Sequence, residues 1–347
     1  MELSKEIHGM LDLMMRPGFC VENHKIIYTN QAAQSLLLYP GADVQSLLLT
    51  GQEEYAHFQE GCLYLQLNIV PGGCGASVFA MDGQHIFLLD QESDDDALRA
   101  LALAAQQLRE PLTGMQLSLQ QLSGQGQDRE QLARLNRAIH QMLRIIGNMS
   151  DAGRCADTAR LELRDIPKIF DNIFEQAMQR SAQAGMSLQW ENHADSVSGL
   201  VDETLLERAV LNILSNSIKF SPSGSTIQAQ LTRHDRTLKL SITDGSSGIA
   251  EGLRQTLFRR YLRQPGIEDG RFGLGLGMVL IRSAAERHGG TVLIDQPTGT
   301  RVTMTLTIRQ DTSTLRSPIL RVDYAGEQDH GLVELSDCLP LDAYTGF

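Results

Sequence analysis

Residues 211–222 read LNILSNSIKFSP, a helical pattern with two distinct faces. Asn212, Asn216 and Lys219 are four and three residues apart, so a helix places all three on one face. Amide oxygens at this spacing suit a Mg²⁺ ion that is otherwise held by water and phosphates, and a lysine tip can reach the phosphates. The alternative is an amphipathic helix whose polar face meets water, and the segment alone leaves both interpretations open. The opposite face carries apolar side chains for packing on a sheet: Leu211, Ile213, Leu214 and Ile218.

The sequence downstream of this helix contains further features of a nucleotide site. Asp244 ends a strand-like segment, TLKLSITD, and a carboxylate there can accept a hydrogen bond from an exocyclic amine such as that of adenine. Phe258 lies in LFRRY, and Gly273, Gly275 and Gly277 begin a long helix whose backbone amides can cradle phosphates. A single glycine cluster is weak evidence, but the ordered set predicts a site for a nucleotide.

This ordered set, with VDETLLERAVLNIL before it and HGG after it, closely resembles the ATP-binding domain of sensor histidine kinases. Those kinases belong to the GHKL superfamily of gyrase, chaperone and MutL ATPases. The resemblance covers about residues 95–308 and implies ATP or ADP with Mg²⁺ as the ligand. It also implies that Asn216 ligates the Mg²⁺, that Asp244 binds adenine and that residues 262–272 form a lid over the nucleotide. The binding positions that it implies are Asn212, Asn216, Lys219, Asp244, Gly248, Ile249, Phe258, Gly273, Leu274 and Gly275.

Four units are expected along the chain, and together they predict an α+β fold. Residues 1–92 contain short strands such as FCV and KIIY, which a polar turn at Glu22, Asn23 and His24 joins. They resemble a PAS-like sensor domain of α/β fold; another small α+β domain is the alternative. Residues 93–156 repeat apolar positions at three and four around a polar break, which predicts a helical hairpin. Because each helix has too narrow an apolar stripe to bury alone, we expect a homodimer through a four-helix bundle.

The remaining two units follow the hairpin. Residues 157–308 mix strands with amphipathic helices, which predicts the α/β sandwich of a GHKL-type ATP-binding domain with helices on one face. Residues 309–347 form a mildly acidic tail with apolar pieces, PILRVDY, HGLVEL and CLPLDAY, which are too regular for disorder alone. The sequence leaves open whether this tail packs back on the body or engages a partner.

The position of the phosphoacceptor departs from the family that the chain resembles. The first bundle helix of those kinases carries a histidine in a pattern like SHELRTPL, whereas residues 105–112 read AQQLREPL and place Gln106 at the histidine. A glutamine amide nitrogen has a delocalised lone pair and is not a nucleophile. Gln107 replaces an acid that helps to deprotonate the histidine, and Glu110 replaces a Thr or Asn that orients the dephosphorylating water. Three changes at one site predict that autophosphorylation has been lost; His140, in the second helix, is a candidate substitute without a flanking acid.

The nucleotide motifs are less altered. The usual DxGxG pattern reads DGSSG, with Ser246 in place of a glycine. If the backbone has a positive φ there, serine costs about 1–2 kcal/mol, or roughly tenfold in affinity. Arg271 and Phe272 stand where the family has a glycine and a small hydroxyl residue, and the lid is short. We therefore expect nucleotide binding that is retained but weakened.

Composition and charge exclude several classes of partner. A net charge of −12 and a pI near 5.2 argue against nucleic acid and an anionic membrane surface, because binding phosphates needs a basic face. Five scattered cysteines show no metal-ligand spacing and fit reduced thiols in a cytoplasm. No run approaches the roughly 18 apolar residues of a membrane span.

The sequence thus predicts a cytoplasmic, dimeric, histidine-kinase-like pseudokinase that binds adenine nucleotide and regulates a partner, either a response regulator or a true kinase. Two alternatives remain. One is an active kinase that acts in trans on a histidine or serine of a partner, and the other is a dimerisation scaffold that no longer binds nucleotide. The ligand of the PAS-like unit and the identity of the partner are not determined by the sequence.

Overall fold

The fold of the chain is given by a computed structural model. The described residues are 2–14, 16–71, 73–81, 83–90, 112, 129–152, 161–249, 257, 277–296, 299–310 and 329–345.

The described part of the chain contains eight α-helices and two short 3₁₀ helices. Within the described ranges, none of them has the length and apolar character that crossing a bilayer requires. The helices are α1 (Glu2–Leu13), α2 (Gln31–Gln34), α3 (Gln52–Ala56), α4 (Arg129–Ala152), α5 (Ile166–Gln183), α6 (Glu203–Phe220), α7 (Gly277–Arg287) and α8 (His330–Glu334), with 3₁₀ helices at Val44–Leu47 and Leu341–Tyr344.

The strands form one large sheet and one small one. They are β1 (Gly18–Glu22), β2 (Lys25–Thr29), β3 (Cys62–Leu67), β4 (Cys74–Met81), β5 (Gln84–Leu89), β6 (Glu162–Asp165), β7 (Ser187–Asn192), β8 (Ser198–Val201), β9 (Thr226–His234), β10 (Thr237–Thr243), β11 (Val292–Asp295) and β12 (Arg301–Thr307). The large sheet has the order β2-β1-β5-β4-β3-β11-β12-β10-β9-β7, and β6 pairs with β8. β7 runs parallel to β9, whereas the other neighbouring strands are antiparallel.

The first five strands form one end of the large sheet. β1 and β2 are joined by a tight turn in which Asn23 and His24 have φ values of 50° and 64°, a conformation that short polar residues tolerate. Asn30 connects this end to α1, because its side chain accepts from the Gly18 N–H at 3.1 Å and donates to the Leu11 carbonyl at 2.9 Å. The polar turn that the sequence predicted between FCV and KIIY is therefore present.

The other end of the sheet is a two-layer sandwich. β9 and β10 bury alternate side chains, among them Ile227 and Leu240, and leave the residues between them more exposed. Helices α5, α6 and α7 contribute Phe174, Leu214 and Ile281 to the same apolar core. Helices on one face of a mainly antiparallel sheet confirm the predicted α+β class.

A strand pairing that the sequence did not predict joins the two ends. β3 pairs antiparallel with β11, with Tyr64 opposite Val292 and Cys62 opposite Ile294. Gly61 precedes this pairing with a φ of 97°, and a Cβ atom there would lie 2.1 Å from the Ile294 carbonyl oxygen. Only glycine fits such a close approach, so the junction depends on this residue.

Residues 329–345, here called the C-terminal segment, pack against α4 and α6. Val333, Leu335, Leu339 and Tyr344 are at most 1% exposed. For this part of the tail, the structure therefore decides the question that the sequence left open: it packs on the body of the protein.

Candidate functional site

The polar face of α6 is buried beneath the C-terminal segment. Asn212 is 1% exposed, and its amide nitrogen donates to the Arg208 carbonyl at 2.9 Å and to Glu334 Oε2 at 3.0 Å. Lys219 Nζ lies 2.6 Å from Asp337 Oδ2, and the lysine side chain is 8% exposed. Asn216, between them on the same helix, is half-buried. Asn212 and Lys219, two of the three side chains that the sequence assigned to Mg²⁺ and phosphates, thus meet carboxylates in this structure.

Helix α4 contributes a polar stripe to the same contact. Asn136, His140, Arg144 and Asn148 are spaced four apart and are all at most 9% exposed. Arg144 donates through Nη1 to Asp337 Oδ2 at 2.6 Å and through Nη2 to Asn212 Oδ1 at 3.3 Å. The helix itself was predicted, whereas its role as a wall of this site was not.

Arg208 completes the set of cations. Its Nε donates to Glu334 Oε1 at 2.8 Å and its Nη2 to Asn148 Oδ1 at 2.8 Å. The four residues Arg144, Arg208, Asn212 and Lys219 are called the cationic cleft below. The cleft holds the two carboxylates of the C-terminal segment, Glu334 and Asp337.

Charge in the cleft shifts the titration of Asp337. Burial acts to raise the pKa of this carboxyl, but the charges of Arg144 and Lys219 and the hydrogen bond from Lys219 outweigh it, so the pKa lies below its ordinary value of 3.8. Asp337 is therefore ionised at neutral pH and binds the cleft as an anion.

The glycine-led helix begins beside the cleft. A Cβ atom at Gly277, the first residue of α7, would lie 3.0 Å from Asn212 Oδ1, so the start of this helix packs closely on α6. The sequence placed phosphates between these same two features. The remaining predicted positions of this region and of the acceptor site lie outside the described residues: Gln106, Gln107, Glu110, Phe258, Arg271, Phe272, Gly273, Leu274 and Gly275.

Asp244 forms a separate group at the end of β10. Its Oδ1 accepts from the Ser246 N–H at 2.9 Å and from the Thr300 N–H at 3.3 Å, and its side chain is largely buried. Gly248 has a φ of 85°, which favours glycine. The Ile249 carbonyl accepts from the Gln296 amide at 2.9 Å.

Ser246 does not carry the strain that the sequence made conditional on a positive φ, since Ser246 is not among the residues with positive φ. Its hydroxyl instead lies 2.7 Å from Thr300 Oγ1. The replacement of glycine by serine is therefore accommodated, and the turn that presents Asp244 is intact.

The structure thus brings Asn212, Lys219 and Gly277 together and leaves Asp244, Gly248 and Ile249 in a second group. Sequence reasoning missed Arg144, Arg208, Glu334 and Asp337. Two features of the sequence could have indicated them. One is the row of polar residues that interrupts the apolar period of α4, and the other is the pair of acids, Glu334 and Asp337, within an apolar part of the tail. Amide, guanidinium and ammonium donors bind carboxylate oxygens here, and the same donors suit phosphate oxygens, so the cleft fits an anionic ligand.

Two family models match the chain. The model described as "Histidine kinase-, DNA gyrase B-, and HSP90-like ATPase" matches residues 201–310. The model described as "His Kinase A (phospho-acceptor) domain" matches residues 97–155. The first match contains α6, Asp244 and α7, and the second contains all of α4.

Two similar curated proteins are a sensor protein and a sensor-like histidine kinase. Sensor protein KdpD from Clostridium acetobutylicum is 27% identical over 199 residues, which cover 53% of this chain and 21% of that protein. Sensor-like histidine kinase SenX3 from Mycolicibacterium smegmatis is 25% identical over 239 residues, which cover 64% of this chain and 61% of that protein. The chain therefore spans less than two thirds of the length of either relative.

A solved structure agrees with the fold. Full-length ShkA in complex with AMPPNP matches with a TM-score of 0.51 and 20% sequence identity, over 62% of this chain and 47% of that chain. At this identity the likeness concerns the fold alone, which is that of a GHKL-type α+β protein.

Proposed function

We propose that the chain is a signalling pseudokinase of the sensor histidine kinase family, which binds adenine nucleotide but does not phosphorylate itself; the two family models and the similar curated proteins support this proposal. Nucleotide occupancy regulates a partner, a response regulator or a true kinase. One contrast carries the proposal: the donors of the cationic cleft are retained beside the glycine-led helix, whereas Gln106 stands at the position of the acceptor histidine.

The surroundings of His140 support the loss of autophosphorylation. Its ring is 2% exposed, Nδ1 donates to the Asn136 carbonyl at 2.8 Å, and the Tyr344 ring packs against it with centroids 5.3 Å apart. Burial lowers the pKa of His140, so the ring is neutral at pH 7. Although a neutral imidazole is a nucleophile, this one is covered by the docked C-terminal segment, and its neighbours in the sequence RAIHQML include no acid that could take its proton.

Nucleotide binding rests on three groups of this chain. Asp244 is held by its turn to receive the amine of adenine, Lys219 provides a cation for phosphates, and Asn216 provides an amide oxygen for Mg²⁺. The ATP or ADP would supply the anionic phosphates, and the protein residues orient it.

The same proposal assigns roles to the flanking units. Residues 1–92 are a PAS-like input domain, which the strand order β2-β1-β5-β4-β3 supports, and residues 93–156 form the homodimerisation bundle. Residues 157–308 are the ATP-binding domain and residues 309–347 the tail. We place the protein in the cytoplasm, with a signalling protein rather than nucleic acid as its partner.

Two measurements test the proposal. Incubation with Mg-ATP labelled at the γ-phosphate is expected to leave no acid-labile phosphate on the protein; labelling that disappears in Asn216→Ala would show an active kinase. Calorimetric titration with Mg-ADP is expected to show binding that is lost in Asp244→Ala. Absence of binding up to millimolar ligand, in the wild type and in variants of the C-terminal segment, would leave a scaffold without nucleotide.

A further inference from the structure

We propose that the cationic cleft is a binding site for an acidic peptide, that its resident ligand is the chain's own C-terminal segment, and that this segment and Mg-nucleotide exclude each other. The second half of this inference rests on the proposed function, since it concerns the same nucleotide site. The first half stands on the observed contacts alone.

The charges of the segment and the cleft are complementary. Glu334 approaches Arg208 Nε at 2.8 Å and Arg144 Nε at 3.5 Å, and Asp337 approaches Arg144 Nη1 and Lys219 Nζ at 2.6 Å each. Among the described residues, two carboxylates of the segment thus meet three cations of the cleft. Such a site selects anions, and guanidinium groups bind carboxylate and phosphate oxygens with the same geometry.

Backbone recognition and apolar packing hold the segment in one register. Arg137 Nε donates to the Ser336 carbonyl at 3.0 Å, and the Asn136 amide donates to the Tyr344 carbonyl at 3.2 Å. Val333 and Leu335 are fully buried at the same place. A specific register distinguishes this contact from the loose association of an acidic tail with a basic surface.

The docked segment leaves no room for a second anion. Asn212 is 1% exposed and the Lys219 side chain 8% exposed, and the atoms that would meet phosphates are those that already bind Glu334 and Asp337. A nucleotide phosphate that reached Lys219 would lie beside the Asp337 carboxylate, and two neighbouring anions repel each other. Binding of either ligand therefore requires that the other leave, and their affinities are linked.

Cys338 reports on docking without any nucleotide. Its thiol lies 3.4 Å from the Ser215 hydroxyl on α6, next to the cleft. Burial limits the access of reagents to this thiol and also raises its pKa. The restricted access and the smaller thiolate fraction both slow its alkylation. Release of the segment exposes Cys338 and speeds the reaction, which peptide-resolved mass spectrometry follows separately from the other cysteines.

The test uses the full chain and a matched pair of substitutions. Asp337→Asn removes a charge from the cleft contact and keeps the side-chain shape, whereas Asp342→Asn makes the same change at an exposed residue of the segment. We expect Asp337→Asn to speed alkylation of Cys338 and to tighten Mg-ADP binding about tenfold in calorimetry, while Asp342→Asn matches the wild type. Saturating Mg-ADP is expected to speed alkylation of the wild type as well.

Each other outcome overturns a defined part. If Cys338 of the wild type reacts as fast as in the urea-unfolded chain, the segment does not dock and the whole inference fails. If Asp337→Asn releases Cys338 but Mg-ADP binds with unchanged affinity, competition fails while the proposed function survives. If it releases Cys338 and neither protein binds Mg-ADP, the peptide site stands and both competition and the proposed nucleotide function fail. Glu334→Gln, checked for folding by its thermal transition, is the second variant for the same comparison.

Discussion

Arg208 and Glu334 form an ion pair that solvent does not reach: their side chains are 1% and 0% exposed, and Nε lies 2.8 Å from Oε1. The two residues are 126 positions apart, in α6 and in the C-terminal segment. Hydrogen bonds from Arg208 to Asn148 and from Asn212 to Glu334 satisfy further atoms of the pair. The pair thus connects the helix that carries the nucleotide motif to a segment that no nucleotide motif includes.

Removing Arg208 takes the nearest cation from the buried Glu334 carboxylate and leaves it the longer contact with Arg144 Nε at 3.5 Å. We expect Arg208→Met to lower the free energy of unfolding by about 3–5 kcal/mol, measured by urea denaturation. Replacing both residues, as in Arg208→Met with Glu334→Met, is expected to cost less than the sum of the single changes by about 2 kcal/mol. If the loss of unfolding free energy in the double variant equalled the sum of the losses in Arg208→Met and Glu334→Met, the two charges would not interact in solution.

Gly61 is expected to be indispensable for the pairing of β3 with β11. Gly61→Ala places a Cβ atom 2.1 Å from the Ile294 carbonyl at a φ of 97°, whereas Gly83→Ala, at a φ of 77°, meets nothing within 4 Å. Both variants bear the cost of a positive φ, about 1–2 kcal/mol, and Gly61→Ala adds a steric clash of about 2 kcal/mol or more. If Gly61→Ala and Gly83→Ala unfolded at the same urea concentration, the close approach at Gly61 would not contribute to stability, and the pairing of β3 with β11 would not depend on it.

Arg282 is expected to stabilise the same junction from α7. Its Nη1 lies 3.1 Å from Asp90, and its guanidinium lies 4.7 Å from the centre of the Tyr64 ring. Arg282→Met is expected to cost about 3 kcal/mol in the free energy of unfolding, because Asp90 loses a buried cation. The control is Arg301→Met, whose ion pair with Asp295 is partly exposed and is expected to contribute less than about 1 kcal/mol. A similar loss in both variants would argue against a buried network at the junction.

His288 is expected to make stability depend on pH. Its Nδ1 donates to the Ala284 carbonyl at 2.6 Å and its Nε2 accepts from the Asp202 N–H at 3.0 Å, which requires the neutral ring. Burial is the main cause that lowers its pKa from 6.5 to about 4; the neighbouring charges of Arg287 and Arg309 act in the same direction and that of Asp202 against it. Between pH 6.5 and about 4, His288 binds a proton more readily in the unfolded chain than in the folded one. Its contribution to the free energy of unfolding is therefore complete above pH 6.5 and is lost as the pH falls toward 4.

Protonation of His288 at low pH is expected to lower the free energy of unfolding by up to about 3 kcal/mol. Urea denaturation at pH 7.5, 6, 5 and about 4.5 follows it, and His288→Gln is expected to be less stable at neutral pH but to flatten this dependence. Some slope remains in the variant, since burial also lowers the pKa of His85 and His140. If the free energy of unfolding fell with pH equally steeply in the wild type and in His288→Gln, residues other than His288 would cause the acid sensitivity.

Much of the local structure follows from periodicity. The apolar spacing around Leu211 and Ile218 predicted α6, which spans Glu203–Phe220, and the polar turn at Asn23 and His24 was also predicted. Asp244 lies where expected, directly after β10. These features depend on neighbours within a few positions, so the pattern of residue types was sufficient to predict them.

The partners of Ser246 and Asn212 could not be predicted in the same way. Ser246 is accommodated by Thr300, 54 positions away, and Asn212 binds Glu334, 122 positions away. Such contacts depend on how surfaces of the whole chain fit together, and a polar residue that suits a nucleotide equally suits a carboxylate. Asn212 and Ser246 therefore have partners that the motifs did not indicate, and the nucleotide-binding roles of the predicted positions stay predictions.

Residue type and local spacing were sufficient to predict the α+β class and the helix that presents Asn212, Asn216 and Lys219, and the order of the motifs indicated a resemblance to sensor histidine kinases. Only the tertiary structure decided that β3 and β11 make one sheet and that Glu334 and Asp337 lie in the cationic cleft. The physical reason is that charge complementarity and strand pairing are properties of two surfaces in contact, and each partner segment taken alone is compatible with many others.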